Sequence, residues 1–231
     1  MKQRKRWHIY PTAMDFETRV VRGILRAAHE AIATRGLFRI VLAGGKTPES
    51  IYRRLAEADM DWRGWHVYWG DEGCVAPEDP LRNSRVAFHA WLDHVSISQE
   101  QVHPIPGELG PEAAAEHYAA LLAGLGDFDL VLLGLGEDGH TASLFPGREW
   151  GTAPNSPDVL IVRDAPKPPP CRLSLSANRL SRSREVVFLA TGVSKYGAVQ
   201  RWRCGEMLPA AAITPECGVD VCLTQDAFDL A

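Results

Sequence analysis

Phe16, Val20, Ile24, Ala28 and Ile32 recur four residues apart, Val21 and Leu25 lie beside them, and Gly36 follows. This spacing places one apolar stripe on a helix and predicts an amphipathic helix over residues 15–35. The period then changes. Residues 38–44 (FRIVLAG) and 128–134 (FDLVLLG) are nearly continuous apolar runs, as expected of strands buried on both faces, and 65–70 (WHVYWG) reads as a further strand. Helical patterns are predicted over 47–58, about 83–95, about 111–124 and 194–204, and strands over 158–162, 172–176, 185–191 and 219–224. Strands alternating with helices predict an α/β fold: a doubly wound, mainly parallel sheet with helices on both faces, in a modified Rossmann-like arrangement. There is no internal repeat. The proline-rich APKPPP at 165–170 is too short to divide domains and reads as a stiff extended loop, so residues 1–231 are expected to form one domain.

Composition narrows the partners. With 45% apolar residues, 23% charged residues and a net charge of −4, the chain has the make-up of a globular protein and no general electrostatic attraction to nucleic acid or acidic membranes. The basic start, MKQRKR, reads as a solvated terminus, and no apolar run is long enough to span a membrane. Five cysteines, Cys74, Cys171, Cys204, Cys217 and Cys222, form no C-x-x-C pair and leave one over, which suits a reducing compartment. A cytoplasmic protein is expected, acting as a monomer or weak homodimer. His89 and His94 have no matching cysteine or carboxylate pair, so no metal site is expected.

In sheets of this kind ligands sit beyond the carboxyl ends of strands, and three loops fall there. The first, AGGKTPES, offers Gly44 and Gly45 for close approach, Lys46 as a mobile charge, and Thr47 and Pro48 to start a helix whose free amides favour a phosphate. It lacks the Walker spacing. The second, WGDEGCVAPEDPLRNS, places Asp71 and Glu72 at the ligand edge, as site groups or as helix caps, with Arg82 and Asn83 after them. The third, LGLGEDGHTASLFPG, spaces Gly134, Gly136 and Gly139 as G-x-G-x-x-G. A dinucleotide cradle needs a full helix after its glycines, yet His140 to Phe145 gives under two turns before Pro146, and Asp164 falls too late to serve as the ribose acid. His140 itself, on an exposed loop at a strand end, is the candidate base, since an imidazole titrates near neutral pH.

Taken in order, AGGKTP, WGDE, DLVLLGLGEDGHTASLFPG, KPPPCRLSLS and GVSKYGAV resemble the 6-phosphogluconolactonases of the glucosamine-6-phosphate isomerase/6-phosphogluconolactonase superfamily, over nearly the whole chain. Ser143, Leu144 and Phe145 after the histidine favour the lactonase branch over the deaminases. The resemblance implies hydrolysis of 6-phospho-D-glucono-1,5-lactone to 6-phosphogluconate in the oxidative pentose phosphate pathway, without metal or organic cofactor. It implies His140 as general base, Asp71 as a group orienting substrate or histidine, and Arg172 and Lys195 at the substrate's phosphate. The candidate binding set is therefore Gly44, Gly45, Lys46, Thr47, Arg82, Asn83, Gly139, Arg172 and Lys195. One departure stands out: the family's D-E-R reads Asp71-Glu72-Gly73 here, and Arg82 or Arg85 is the expected replacement for the lost guanidinium. The rival readings are a sugar-phosphate isomerase or deaminase and a catalytically weak sensor of phosphorylated sugars.

Overall fold

The structure, a computed structural model, describes residues 3–229. In chain order it runs β1 (Lys5–Tyr10), α1 (Ala13–Arg35), β2 (Phe38–Leu42), α2 (Lys46–Ala56), β3 (Trp65–Trp69), β4 (Asp71–Gly73), α3 (Asn83–Ala90), β5 (Val102–His103), α4 (Pro111–Leu122) and β6 (Phe128–Gly134). The second part continues β7 (Val159–Val162), β8 (Arg172–Leu175), α5 (Ala177–Ser181), β9 (Ser183–Ala190), α6 (Tyr196–Arg203), β10 (Val219–Thr224) and α7 (Gln225–Phe228).

Seven strands form a wholly parallel sheet in the order β1-β10-β9-β6-β2-β3-β5. The central strands β2 and β6 are buried almost throughout, which explains their continuous apolar character. α1 packs Phe16, Val20, Ile24 and Ala28 into the core, with Val21, Leu25 and Ile32 partly buried beside them. It is capped by Thr12, whose hydroxyl accepts from the Asp15 amide, and ends at Gly36 with φ 78°. From β2 the chain winds outward through β3 to β5, then returns to β6 on the other side of β2 and winds the opposite way. The crevice beyond the carboxyl ends of β2 and β6 is thus the point where the winding reverses, where open α/β sheets take their ligands.

Three expectations are corrected. The basic start is not a solvated terminus: Lys5 to Tyr10 form an edge strand on β10, Arg6 pairs with Asp220 at 2.7 Å, and only Met1 and Lys2 of that run lie outside the described residues. β7 and β8 leave the main sheet and form, with β4, a separate three-stranded antiparallel sheet. The helix predicted to reach residue 95 stops at Ala90, and a 3-10 turn, Leu92–His94, takes over. Among the described residues no helix is long and apolar enough to cross a membrane.

Candidate active site

A cavity of about 530 Å³ lies in that crevice. The loop after β2 supplies Gly44, Gly45 and Lys46, the segment after β6 supplies Gly136, His140 and Ala142, and β4 supplies Asp71. Asn83, Lys167, Arg172 and Lys195 add to the polar wall, and the carboxylate of Glu49, which pairs with Arg53, also reaches it.

The glycine pattern after β6 serves the histidine. A Cβ on Gly136 would fall 2.0 Å from Nδ1 of His140 and 2.7 Å from Oδ1 of Asp138, so the bare backbone is what lets the imidazole and carboxylate lie against it. Gly139 turns the chain with φ 88° and packs against Leu208 instead of lining the cavity. The Gly139 amide donates to the Gly136 carbonyl at 2.9 Å, and Thr141 Oγ1 donates to the Gly134 carbonyl at 2.9 Å, closing the loop tightly around His140.

His140 Nδ1 lies 2.5 Å from Asp138 Oδ1. Burial pulls the imidazole below its ordinary value, opposed by the hydrogen bond and charge of Asp138, while Lys167 adds to the depression. Burial tends to raise the Asp138 carboxyl, but its contacts with His140 outweigh this and leave it below the usual range. At neutral pH the pair is therefore a carboxylate and a neutral ring, with Nδ1–H donating and Nε2 unprotonated.

Asp71 does not touch the histidine ring through any hydrogen bond; the orienting group is Asp138, two residues before it. Asp71 Oδ2 accepts from Ser143 Oγ at 2.6 Å and from Arg172 Nη2 at 2.8 Å, and Oδ1 accepts from Asn83 Nδ2 at 3.2 Å. Arg172 Nε donates to the same Ser143 hydroxyl at 2.5 Å. This web ties β4, β8, α3 and the histidine loop together. Glu72 takes the capping role instead. Its buried carboxylate accepts from the amides of Gly73, Asn83 and Ser84 at 2.9, 2.8 and 2.8 Å, and burial still pushes its carboxyl up.

α2 begins at Lys46, so Gly45, with φ 105°, is its N-cap and supplies no side-chain acceptor for the first amides. Thr47 sits inside the first turn, turned away from the cavity, with its hydroxyl 2.7 Å from that of Thr191. Gly44 is required by Asn83, whose Oδ1 would lie 2.0 Å from an added Cβ. Lys46, Lys167 and Lys195 form no ion pair among the described residues, and burial lowers the Lys195 ammonium. Lys167 lies outside the predicted set because the proline-rich run that carries it reads only as a stiff extended loop.

Arg82 is the clear correction. It is 4% exposed, and neither it nor the half-buried Arg85 lines the cavity. The Arg82 guanidinium donates to the carbonyls of Val75 and Ile105 at 2.8 and 3.0 Å and to Ser84 Oγ at 3.0 Å, and pairs with Glu108 at 2.7 Å. It joins the 71–84 segment to the 105–108 loop. Nor does the space beside Gly73 await a side chain, because a Cβ there would lie 2.5 Å from Pro169 Cγ.

A second hollow, about 730 Å³, lies beyond β9 and β10, but its wall carries Asp226 and Asp229 and neither a cation nor a histidine. Among the described residues no cluster of three or more His, Cys, Asp or Glu side chains is arranged to hold a metal ion.

Residues 11–222 match the family model described as glucosamine-6-phosphate isomerases/6-phosphogluconolactonase. The chain belongs to this family. Within the glucosamine-6-phosphate isomerase/6-phosphogluconolactonase family it is 42% identical to a 6-phosphogluconolactonase of Synechocystis sp. over 179 residues, covering 74% of this chain and 73% of that one. It is also 42% identical to a 6-phosphogluconolactonase of Mycobacterium leprae over 183 residues, 73% and 74% of the two chains. The crystal structure of 6-phosphogluconolactonase from Thermotoga maritima superposes with a TM-score of 0.88 at 25% identity, covering 96% of this chain and 100% of that one.

Proposed function

We propose that this family member hydrolyses 6-phospho-D-glucono-1,5-lactone to 6-phosphogluconate in the cytoplasm, with His140 as general base. The observation that carries the reading is the Asp138–His140 pair at the wall of a cavity that also holds Lys46, Lys167, Lys195 and Arg172. The Asp138 carboxylate fixes the ring with Nδ1–H donating, and Nε2 takes a proton from water as the oxygen attacks the lactone carbonyl. The tetrahedral intermediate collapses with release of the ring oxygen, which recovers that proton from the imidazolium. The phosphate rests on the cations and the uncapped amides at the start of α2. Asp71, committed to Arg172 and Ser143, holds the wall in shape rather than the histidine.

The isolation of Arg82 and the covered face of Gly73 favour one other reading, a sugar-phosphate binder of low activity. Both readings are separated by assaying freshly generated lactone, corrected for spontaneous hydrolysis, with the parent and with His140→Ala. A base at this position contributes about 10²- to 10⁴-fold, so the variant should lose that much rate while keeping its thermal midpoint. A parent no faster than the uncatalysed reaction would overturn the hydrolytic reading, and a variant within twofold of the parent would remove His140 from the chemistry.

A further inference from the structure

Two thiols stand outside the chemistry above. Cys74 follows β4 and Cys171 precedes β8, and the antiparallel register that pairs Gly73 with Arg172 makes them the next facing residues. The Cys74 amide donates to the Cys171 carbonyl at 2.9 Å. Facing residues of this hydrogen-bonded kind have Cα atoms about 5.5 Å apart, within the roughly 4.4–6.8 Å that a disulfide spans. The two Sγ atoms are already 3.3 Å apart, and both thiols are free and half-buried. Among the described residues no other two cysteine sulfurs are in such contact.

We propose that Cys74 and Cys171 are a reversible redox modification site, converted by a low-molecular-weight disulfide into an intramolecular bridge that clamps the 165–171 segment onto β4. That segment carries Lys167 and Pro168 at the cavity wall, and its Pro169 packs against Gly73. The proposal stands independently of the lactonase reading.

The exchange balances in two steps. The Cys171 thiolate attacks one sulfur of R–S–S–R, forming Cys171–S–S–R and releasing one RS⁻. The Cys74 thiolate then attacks the Cys171 sulfur, forming the protein disulfide and releasing the second RS⁻. The two protein protons end on the two released thiols, and two electrons pass from the protein to the small disulfide. Burial, and then the contact with Cys171, push the Cys74 thiol up to about 12, which makes it a poor first attacker. Its position against the mixed disulfide suits it to the second step.

The test treats the folded full chain with oxidised glutathione, alkylates free thiols and maps the peptides by mass spectrometry. The expected result is loss of two of the five free cysteines, one peptide joining Cys74 to Cys171, and full recovery with dithiothreitol. Cys74→Ser and Cys171→Ser should each form no internal bridge, and exchange of the amides of Ala165, Lys167 and Cys171, the three that this proline-rich segment carries, should slow by about tenfold in the oxidised parent. Five alkylated cysteines, stable glutathione adducts without a bridge, or a bridge between another pair would overturn the site. Unchanged exchange in the bridged protein would overturn the clamp.

Discussion

Burial and a carboxylate pull the His140 imidazole in opposite directions, and burial prevails. The form that takes a proton is the neutral ring, so kcat/KM should fall as pH drops through a value below the ordinary 6.5. Asp138 raises that value, so Asp138→Asn should move the acid limb to still lower pH. It should also cost about 10²- to 10⁴-fold in kcat, because the tautomer is no longer fixed. A pH–rate series on both proteins checks this, and a limb that stayed put or moved up would deny the pairing its role. His140 was legible in the sequence because it stands in a distinctive motif at a strand end. Asp138 was not, since an acid two residues from a histidine becomes its partner only through the tight turn that Gly136 and Gly139 allow. Asp71 and Glu72 looked alike on paper; they are divided by which one meets the amides of α3 and which one meets Arg172.

Between elements, the 71–84 segment is held by a buried cation and not by its own strand pairing alone. Removing the Arg82 guanidinium would take a donor from the carbonyls of Val75 and Ile105 and the cation from beside Glu72, whose carboxylate is buried, and Glu108. Arg82→Ala should therefore cost about 3–5 kcal/mol in thermal or denaturant unfolding, a penalty typical of breaking a buried pair. KM measured well below the midpoint should change little, which a residue in contact with substrate would not permit. Gly73→Arg should lower the midpoint and bring no gain in rate, because its Cβ would displace Pro169. Faster hydrolysis by that variant would mean that the loop yields readily. The strands β2, β3, β6, β9 and β10 were readable from their largely apolar runs, whereas β5, two half-buried residues at the sheet edge, carries no pattern to read. β1 was hidden by its lysine, arginine and histidine, which suit a sheet edge, and β7 and β8 gave no sign that they pair with β4 instead of the main sheet.

Over the whole molecule, a net charge of −4 coexists with a cavity whose wall carries Arg172 and three lysines that form no ion pair among the described residues, against Asp71 and Glu49, so the cations outnumber the carboxylates there. Lys195→Ala should raise KM for the phosphorylated lactone by about tenfold or more, the size of one charge-assisted hydrogen bond, with a smaller change in kcat. Added salt should raise KM for that substrate and leave an unphosphorylated lactone nearly unaffected. Equal KM values for both lactones at low ionic strength would rule out a phosphate site. A last consequence belongs to the pairing of β1 with β10. Among the described residues β1 pairs with no strand but β10, and Arg6 meets Asp220 across a separation of 214 residues. During synthesis on the ribosome β1 therefore waits for residues 219–224 to emerge, long after the strands at the centre of the sheet are complete. Until then its backbone is an open template, and the charges of Lys5 and Arg6 are what stand between it and another growing chain.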